Sequence, residues 1–203
     1  MTGQMHTVLI QNIQQAVAVF LSLGRLEDQV KAASELIAES LTSGHKLLAC
    51  GNGGSAADAA HLTTEFVCRF DGDRRPFPAI CLATHGGDLT AIGNDYQFED
   101  IFVRQFEAFV QDGDVLVVFS TSGNSENVRR VLEAAVKRGI KTVAFLGRDG
   151  GRCAGLATVE LIIRSDVTAR IQEGQKLLLH TICEIVEQDL KSTPINRAPV
   201  AAA

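Results

Sequence analysis

A short apolar run, a small polar loop and a helical stretch follow one another twice in this chain, and this repeated grammar constrains the fold more than any other feature. The first unit is residues 46–50, then Gly51-Asn52-Gly53-Gly54-Ser55, then a helical stretch to about residue 70. The second is Val115-Leu116-Val117-Val118-Phe119, then Ser120-Thr121-Ser122-Gly123-Asn124-Ser125, then a helix predicted over 126–138. An apolar run without polar alternation suits a strand buried on both faces, as in parallel sheets. Further strands are predicted at 79–82, 142–146 and 159–163, and helices at 99–110 and 169–190. The residues between the two units include a Gly-rich connection at Gly86-Gly87. Two amphipathic helices open the chain, with Val8, Ile13, Val17 and Phe20 and then Leu26, Val30, Ala33, Ile37 and Leu41 near helical spacing. Gly44 is placed to end the second of them. Strands alternating with helices predict an α/β fold with an open, mostly parallel sheet covered on both faces.

With 203 residues and 46% apolar content the chain can bury one substantial core, and 21% charged residues separates it from disordered chains. We divide it into N-terminal helices over 1–45, a sheet domain over 46–190 and a frayed tail over 191–203, all within a single structural domain. A net charge of −5, no Trp and one Tyr leave no basic, aromatic-studded footprint for nucleic acid. The five cysteines form no CxxC pair and sit mostly in apolar runs, which reads as reduced core thiols. No signal-type segment opens the chain, and no apolar stretch approaches the ~18 residues needed to span a bilayer, so a cytoplasmic protein without a membrane partner is expected.

In parallel sheets ligands bind beyond the carboxyl ends of the strands, where both polar loops fall. A run of Ser, Thr and Gly before a helix offers hydroxyls, approachable backbone N–H groups and the positive end of a helix dipole, which suits a phosphate monoester. The competing reading is that Ser55 and Ser125 are ordinary N-caps. Four hydroxyls at positions 120, 121, 122 and 125 exceed what one cap requires and favour an anion site. Neither loop is a Walker A, and Ala56 stands where a dinucleotide fingerprint needs its third glycine.

His61 and Glu65 lie four residues apart on one helical face, able to bind a metal, to move protons, or simply to pair at the surface. The last helix carries Gln172, Glu173 and His180, the histidine set among apolar residues where a satisfied core role is the ordinary one. Gln172 and His180 would stand about 12 Å apart along a continuous helix. Joining both to one ion requires long reaches, a helix beginning after Gln172, or different subunits.

Taken together, Cys50 to Ser55, His61-x-x-x-Glu65, Gly93-Asn94-Asp95, Ser120 to Ser125, Gly150-Gly151 and Arg170-Ile171-Gln172-Glu173 with His180 resemble the phosphoheptose isomerases. These are sugar isomerase (SIS) domain proteins, and the resemblance runs to about residue 190. It implies a three-layer SIS fold with a five-stranded parallel sheet, assembled as a homotetramer with active sites at subunit interfaces. It also implies conversion of D-sedoheptulose 7-phosphate to D-glycero-D-manno-heptose 7-phosphate through an enediol, for lipopolysaccharide-core or nucleotide-heptose biosynthesis. By matching motif, Ser55, Ser120, Thr121, Ser122 and Ser125 would hold the phosphate of this seven-carbon sugar. Asn52, Gly53, Gly54, Asn94, Asp95, Glu65 and Gln172 would line the sugar. His61, Glu65, Gln172 and His180 match a zinc site, one ion per subunit, with Glu65 as base and His180 as acid. A zinc-bound side chain is a poorer base, so the two roles compete.

Three positions depart from parts of that family: the connection 83–88, Ala169 where some members carry an acid, and Gly174, a glycine inside a helix that costs ~1 kcal/mol relative to Ala. Gly174 is expected to mark a flexible helix start or close packing at a subunit interface. Two other functions compete with catalysis: a non-catalytic SIS tetramer binding the replication initiator protein, and a sugar-phosphate-sensing regulator. The intact His61, Glu65, Gln172 and His180 set argues against the first, and the lack of a DNA-binding module against the second.

Overall fold

The computed structural model describes residues 2–191, with side chains from residue 7 onward. Helices α1 (Thr2–Ser22) and α2 (Glu27–Thr42) are joined by a 3-10 turn at Leu23–Leu26. The chain then runs β1 (Leu47–Gly51), α3 (Gly54–Val67), β2 (Ala79–Cys81), α4 (Gly86–Asp95) and α5 (Ile101–Phe109). It continues with β3 (Val115–Ser120), α6 (Glu126–Lys137), β4 (Lys141–Gly147), β5 (Val159–Ile163) and α7 (Thr168–Lys191). All five predicted strands are present, and every pairing between them is parallel.

The strands lie in the order β2-β1-β3-β4-β5. Side chains of successive strand residues point to opposite faces, so each strand feeds two cores. Val115, Val117 and Phe119 of β3 join the α2, α3 and α7 side, where Phe119 stacks on Phe145 at 4.4 Å. Leu116 and Val118 join Phe102 and Phe106 of α5 and Val128, Val131 and Leu132 of α6 on the other side. Buried amides stitch the layers: Gln105 Nε2 donates to Leu82 O at 2.9 Å, and Gln175 Nε2 to Phe145 O at 3.0 Å.

Three expectations are corrected. Gly86-Gly87 is the first turn of a helix, α4, not a connection. None of the α4 residues is fully buried, and only Leu89 and Ile92, three residues apart, pack half-buried on the core of the α5 and α6 side. Gly174 lies well inside α7, and a Cβ there would meet Ile163 Cγ2 at 3.3 Å and Val19 Cγ1 at 3.5 Å. The flexible helix start is thus overturned, and within the chain the glycine faces β5 and α1. Finally, an 18-residue window inside Thr7–Thr42 reaches a mean hydropathy of 1.3 with 6% of it buried, so one stretch is long and apolar enough to cross a membrane by length and composition. The cause is α1, which has no Asp, Glu, Lys or Arg and exposes Val8, Leu9, Ile13 and Val17. Gln11, Asn12, Gln14 and Gln15 interrupt that apolar surface. The tail expected from residue 191 lies outside the described residues beyond Lys191, which closes α7.

Candidate active site at the β1/β3 switch point

The chain leaves β1 toward β2 at one edge and returns across β1 to β3, so the strand order reverses between β1 and β3. In open α/β sheets a crevice opens at such a point, beyond the carboxyl ends of the strands. Gly51 is level with Phe119, so the loops after β1 and β3 leave the sheet side by side. The first leads into α3 on one face and the second into α6 on the other. Asn52 and Asn127 lock the two together: Asn52 Nδ2 donates to Asn127 Oδ1 at 2.8 Å, and Asn127 Nδ2 returns to Asn52 Oδ1 at 2.9 Å.

The structure speaks against the capping reading. Ser125 occupies the N-cap of α6, yet its hydroxyl makes no capping bond and lies 3.4 Å from Ser120 Oγ. Ser55 is not a cap either; Gly53 holds that position at φ +56°, and Ser55 is the second residue of α3. The hydroxyls are thus not spent on helix ends. Ser120 is buried, its Oγ accepting from Gly123 N at 3.1 Å, while Thr121, Ser122 and Ser125 are half-buried. Gly123 adopts φ +64°, and a Cβ there would stand 2.0 Å from Gly150 O. The Gly150-Gly151 turn after β4 therefore supports the loop from behind.

Along the α3/α7 contact lies a second cluster. His61 Nε2 stands 2.7 Å from Glu65 Oε1 and 3.4 Å from His180 Nε2, the two rings edge to face at 5.0 Å. Burial, His61 and then Lys176 lower the His180 pKa below the ordinary imidazole value, so the ring is neutral at pH 7. Three of the four predicted metal-ligating residues come together. The fourth, Gln172, does not join them: α7 is helical from Thr168, and the Gln172 amide lies over Gly54, its Nε2 2.1 Å from where a Cβ would be. Asn94 and Asp95 are exposed at the end of α4, where Asn94 Nδ2 donates to Asp95 Oδ1 at 2.8 Å.

Two imidazoles and a carboxylate are donors that suit zinc. The arrangement in this chain is nonetheless one of side chains bonded to each other, and among the described residues no group of three or more His, Cys, Asp or Glu is placed to hold an ion.

The sequence reading missed several supporting residues. Lys176 Nζ stands 2.9 Å from His61 Nδ1 and 2.7 Å from Asp58 Oδ1. Asp58 precedes His61 by three residues and Lys176 precedes His180 by four, so helical spacing could have put them on the same faces. Arg74, in the loop after α3, donates from Nη2 to Glu65 O at 2.6 Å and from Nη1 to Phe66 O at 3.0 Å, and pairs with buried Glu187 of α7 at 2.7 Å. Nothing local in the sequence marks that pairing.

Comparison with known proteins accords with this geometry. The SIS domain family matches residues 11–147, more than half of the chain. A phosphoheptose isomerase of Geobacter sp. (strain M21) is 50% identical, with 82% of this chain and 87% of that protein covered. The solved phosphoheptose isomerase of Neisseria gonorrhoeae superposes with a TM-score of 0.85 at 37% identity, covering 91% of this chain and 99% of the other. That of Francisella tularensis gives 0.86 at 32% identity, covering 90% and 97%. The hydroxyl-lined switch loop, the sheet order and these likenesses agree that the chain belongs to the SIS domain family and, within it, to the phosphoheptose isomerases.

Proposed function

We propose that the chain interconverts D-sedoheptulose 7-phosphate and D-glycero-D-manno-heptose 7-phosphate through an enediol, in the cytoplasm, for lipopolysaccharide-core or nucleotide-heptose biosynthesis. The observation that carries the reading is a loop of four hydroxyls at the carboxyl end of β3, where Ser125 makes no capping bond to α6, on the same chain as the His61–Glu65–His180 cluster of the α3/α7 contact. Gly54 and His61 are seven residues apart on α3, about 10 Å along the axis, a span that a seven-carbon chain bridges.

Ser55, Ser120, Thr121, Ser122 and Ser125 bind the phosphate, with the start of α6 adding its dipole. Asn52, fixed by Asn127, and Gln172 over Gly54 hold sugar hydroxyls, with Asn94 and Asp95 closing from α4. Glu65 removes the C1 proton of the ketose and returns it at C2. Neutral His180 accepts the hydroxyl proton from O1 and passes it to O2, which balances the isomerisation.

Zinc, held by His61, Glu65 and His180 with Gln172 of a second copy as fourth donor, would polarise the sugar's carbonyl and hydroxyl oxygens. Two features support assembly into a homotetramer: the exposed apolar face of α1 and the separation of Gln172 from the cluster within one chain.

The test follows sedoheptulose 7-phosphate by NMR with zinc-replete and chelated protein. Aldose 7-phosphate formation that chelation abolishes and zinc restores supports both reaction and metal. Turnover indifferent to chelation keeps the isomerase and removes the metal, and no turnover in either sample overturns the reading.

A further inference from the structure

Lys176 is not needed by the reaction as written, yet it stands on the ring of His61. Its Nζ is 2.7 Å from Asp58 Oδ1 and 2.9 Å from His61 Nδ1. The Asp58 side chain is only 9% exposed, and its carboxylate holds the lysine in place. An ammonium has three donors and no acceptor. His61 Nδ1 must therefore accept, which leaves the proton of the neutral ring on Nε2. That N–H points at Glu65 Oε1, 2.7 Å away, and the Nε2 of His180 at 3.4 Å faces the same proton with its lone pair.

Metal-binding histidines ordinarily show the reverse: one nitrogen gives its lone pair to the ion while the other donates its N–H to a carboxylate or carbonyl. Here the nitrogen nearest Glu65 and His180 carries the proton, and a cation occupies the place of the usual acceptor. A second cation entering the cluster would meet both obstacles.

We infer that Lys176, anchored by Asp58, is a positioning residue that holds His61 as its Nε2–H tautomer and so weakens divalent-metal binding at the His61–Glu65–His180 cluster. The metal half of this statement rests on the proposed function; the tautomer half does not. Uptake of a divalent ion then requires the Lys176–His61 bond to open, and an apolar side chain of similar length at 176 removes both the bond and the charge.

The experiment uses full-length, metal-free protein with ¹⁵N-labelled histidine, wild type beside K176M, K176R and H61Q. Long-range ¹H–¹⁵N NMR reads the His61 tautomer, with H61Q assigning the signals, and calorimetric titration with zinc alone reads affinity. The expected result is Nε2–H in wild type, a shift toward Nδ1–H in K176M, and zinc affinity raised about tenfold or more in K176M. K176R, which keeps the charge and the donor, should resemble wild type in both readouts. A wild-type ring protonated on Nδ1 overturns the inference, as does equal His61-dependent zinc affinity in wild type and K176M. If no variant binds zinc through His61, the metal part of the proposed function fails, and the NMR comparison still decides the role of Lys176.

Discussion

Replacing Arg74 by Met should be among the most damaging single changes outside the crevice. The guanidinium makes four bonds: Nε to Glu187 Oε2 at 2.7 Å, Nη1 to Phe66 O at 3.0 Å and to Arg75 O at 2.9 Å, and Nη2 to Glu65 O at 2.6 Å. Both partners of the ion pair have side chains 3% exposed, and Glu187 Oε1 has no partner of its own. Removing the cation leaves a buried carboxylate without compensation, a loss of about 3–5 kcal/mol. Against a total stability of ~5–15 kcal/mol for a domain, that is a large fraction. Replacing both members by apolar residues is far milder, because no charge is stranded. R74M/E187L should therefore recover most of the loss, leaving about 1–2 kcal/mol for the unsatisfied carbonyls at the end of α3. Urea unfolding of wild type, R74M, E187L and the double variant at one protein concentration measures this, provided the slopes agree. A loss below about 1 kcal/mol in R74M, or single-variant losses that simply add in the double variant, would refute the argument.

Other consequences are testable in the same protein. E65Q and H180Q should each lower turnover by about 10²-fold or more, read as kcat in the NMR assay, while circular dichroism stays unchanged. Changing Ser120, Thr121 and Ser122 together to Ala should act mainly on KM for the phosphorylated sugar and far less on kcat, since these hydroxyls bind the non-reacting end. At the start of α6, hydrogen bonding from Arg129, then Arg130, with charge from Arg152, lowers the Glu126 carboxyl from 4.5 to about 2. Because the folded value is the lower one, its stabilising contribution is present above pH 4.5 and is lost as the pH falls toward about 2. E126Q should accordingly flatten that stretch of the stability-versus-pH curve measured by urea unfolding.

The elements readable in advance were those whose signal is local. Strand 159–163 matches β5 residue for residue, and the other four differ from their predicted bounds by one residue at one or both ends, because short runs rich in apolar and β-branched residues bounded by polar or glycine positions announce a strand. Helix α4 escaped notice since it begins with two glycines and turns only Leu89 and Ile92 toward the core. The candidate site divides in the same way. The hydroxyl loop and the His61/Glu65 pair are spacings along a few residues, and the resemblance they carry assigned the family.

Local spacing, however, left each of those residues with two readings. Whether Ser125 caps α6 depends on where its hydroxyl turns once Gly123 is pressed against Gly150, a contact between separate strand ends. Gln172 and His180 share one helix, but the packing of α7 on α3 sends the first to Gly54 and the second to His61. Lys176 meets His61 across 115 positions, and Arg74 meets Glu187 across 113. The amino-acid order suffices for element types, sheet class and family, because those follow from short-range periodicity and loop chemistry. The proton arrangement of the cluster and the separation of Gln172 from it follow from the sheet order and from helices packed across it, which no short stretch of residues encodes.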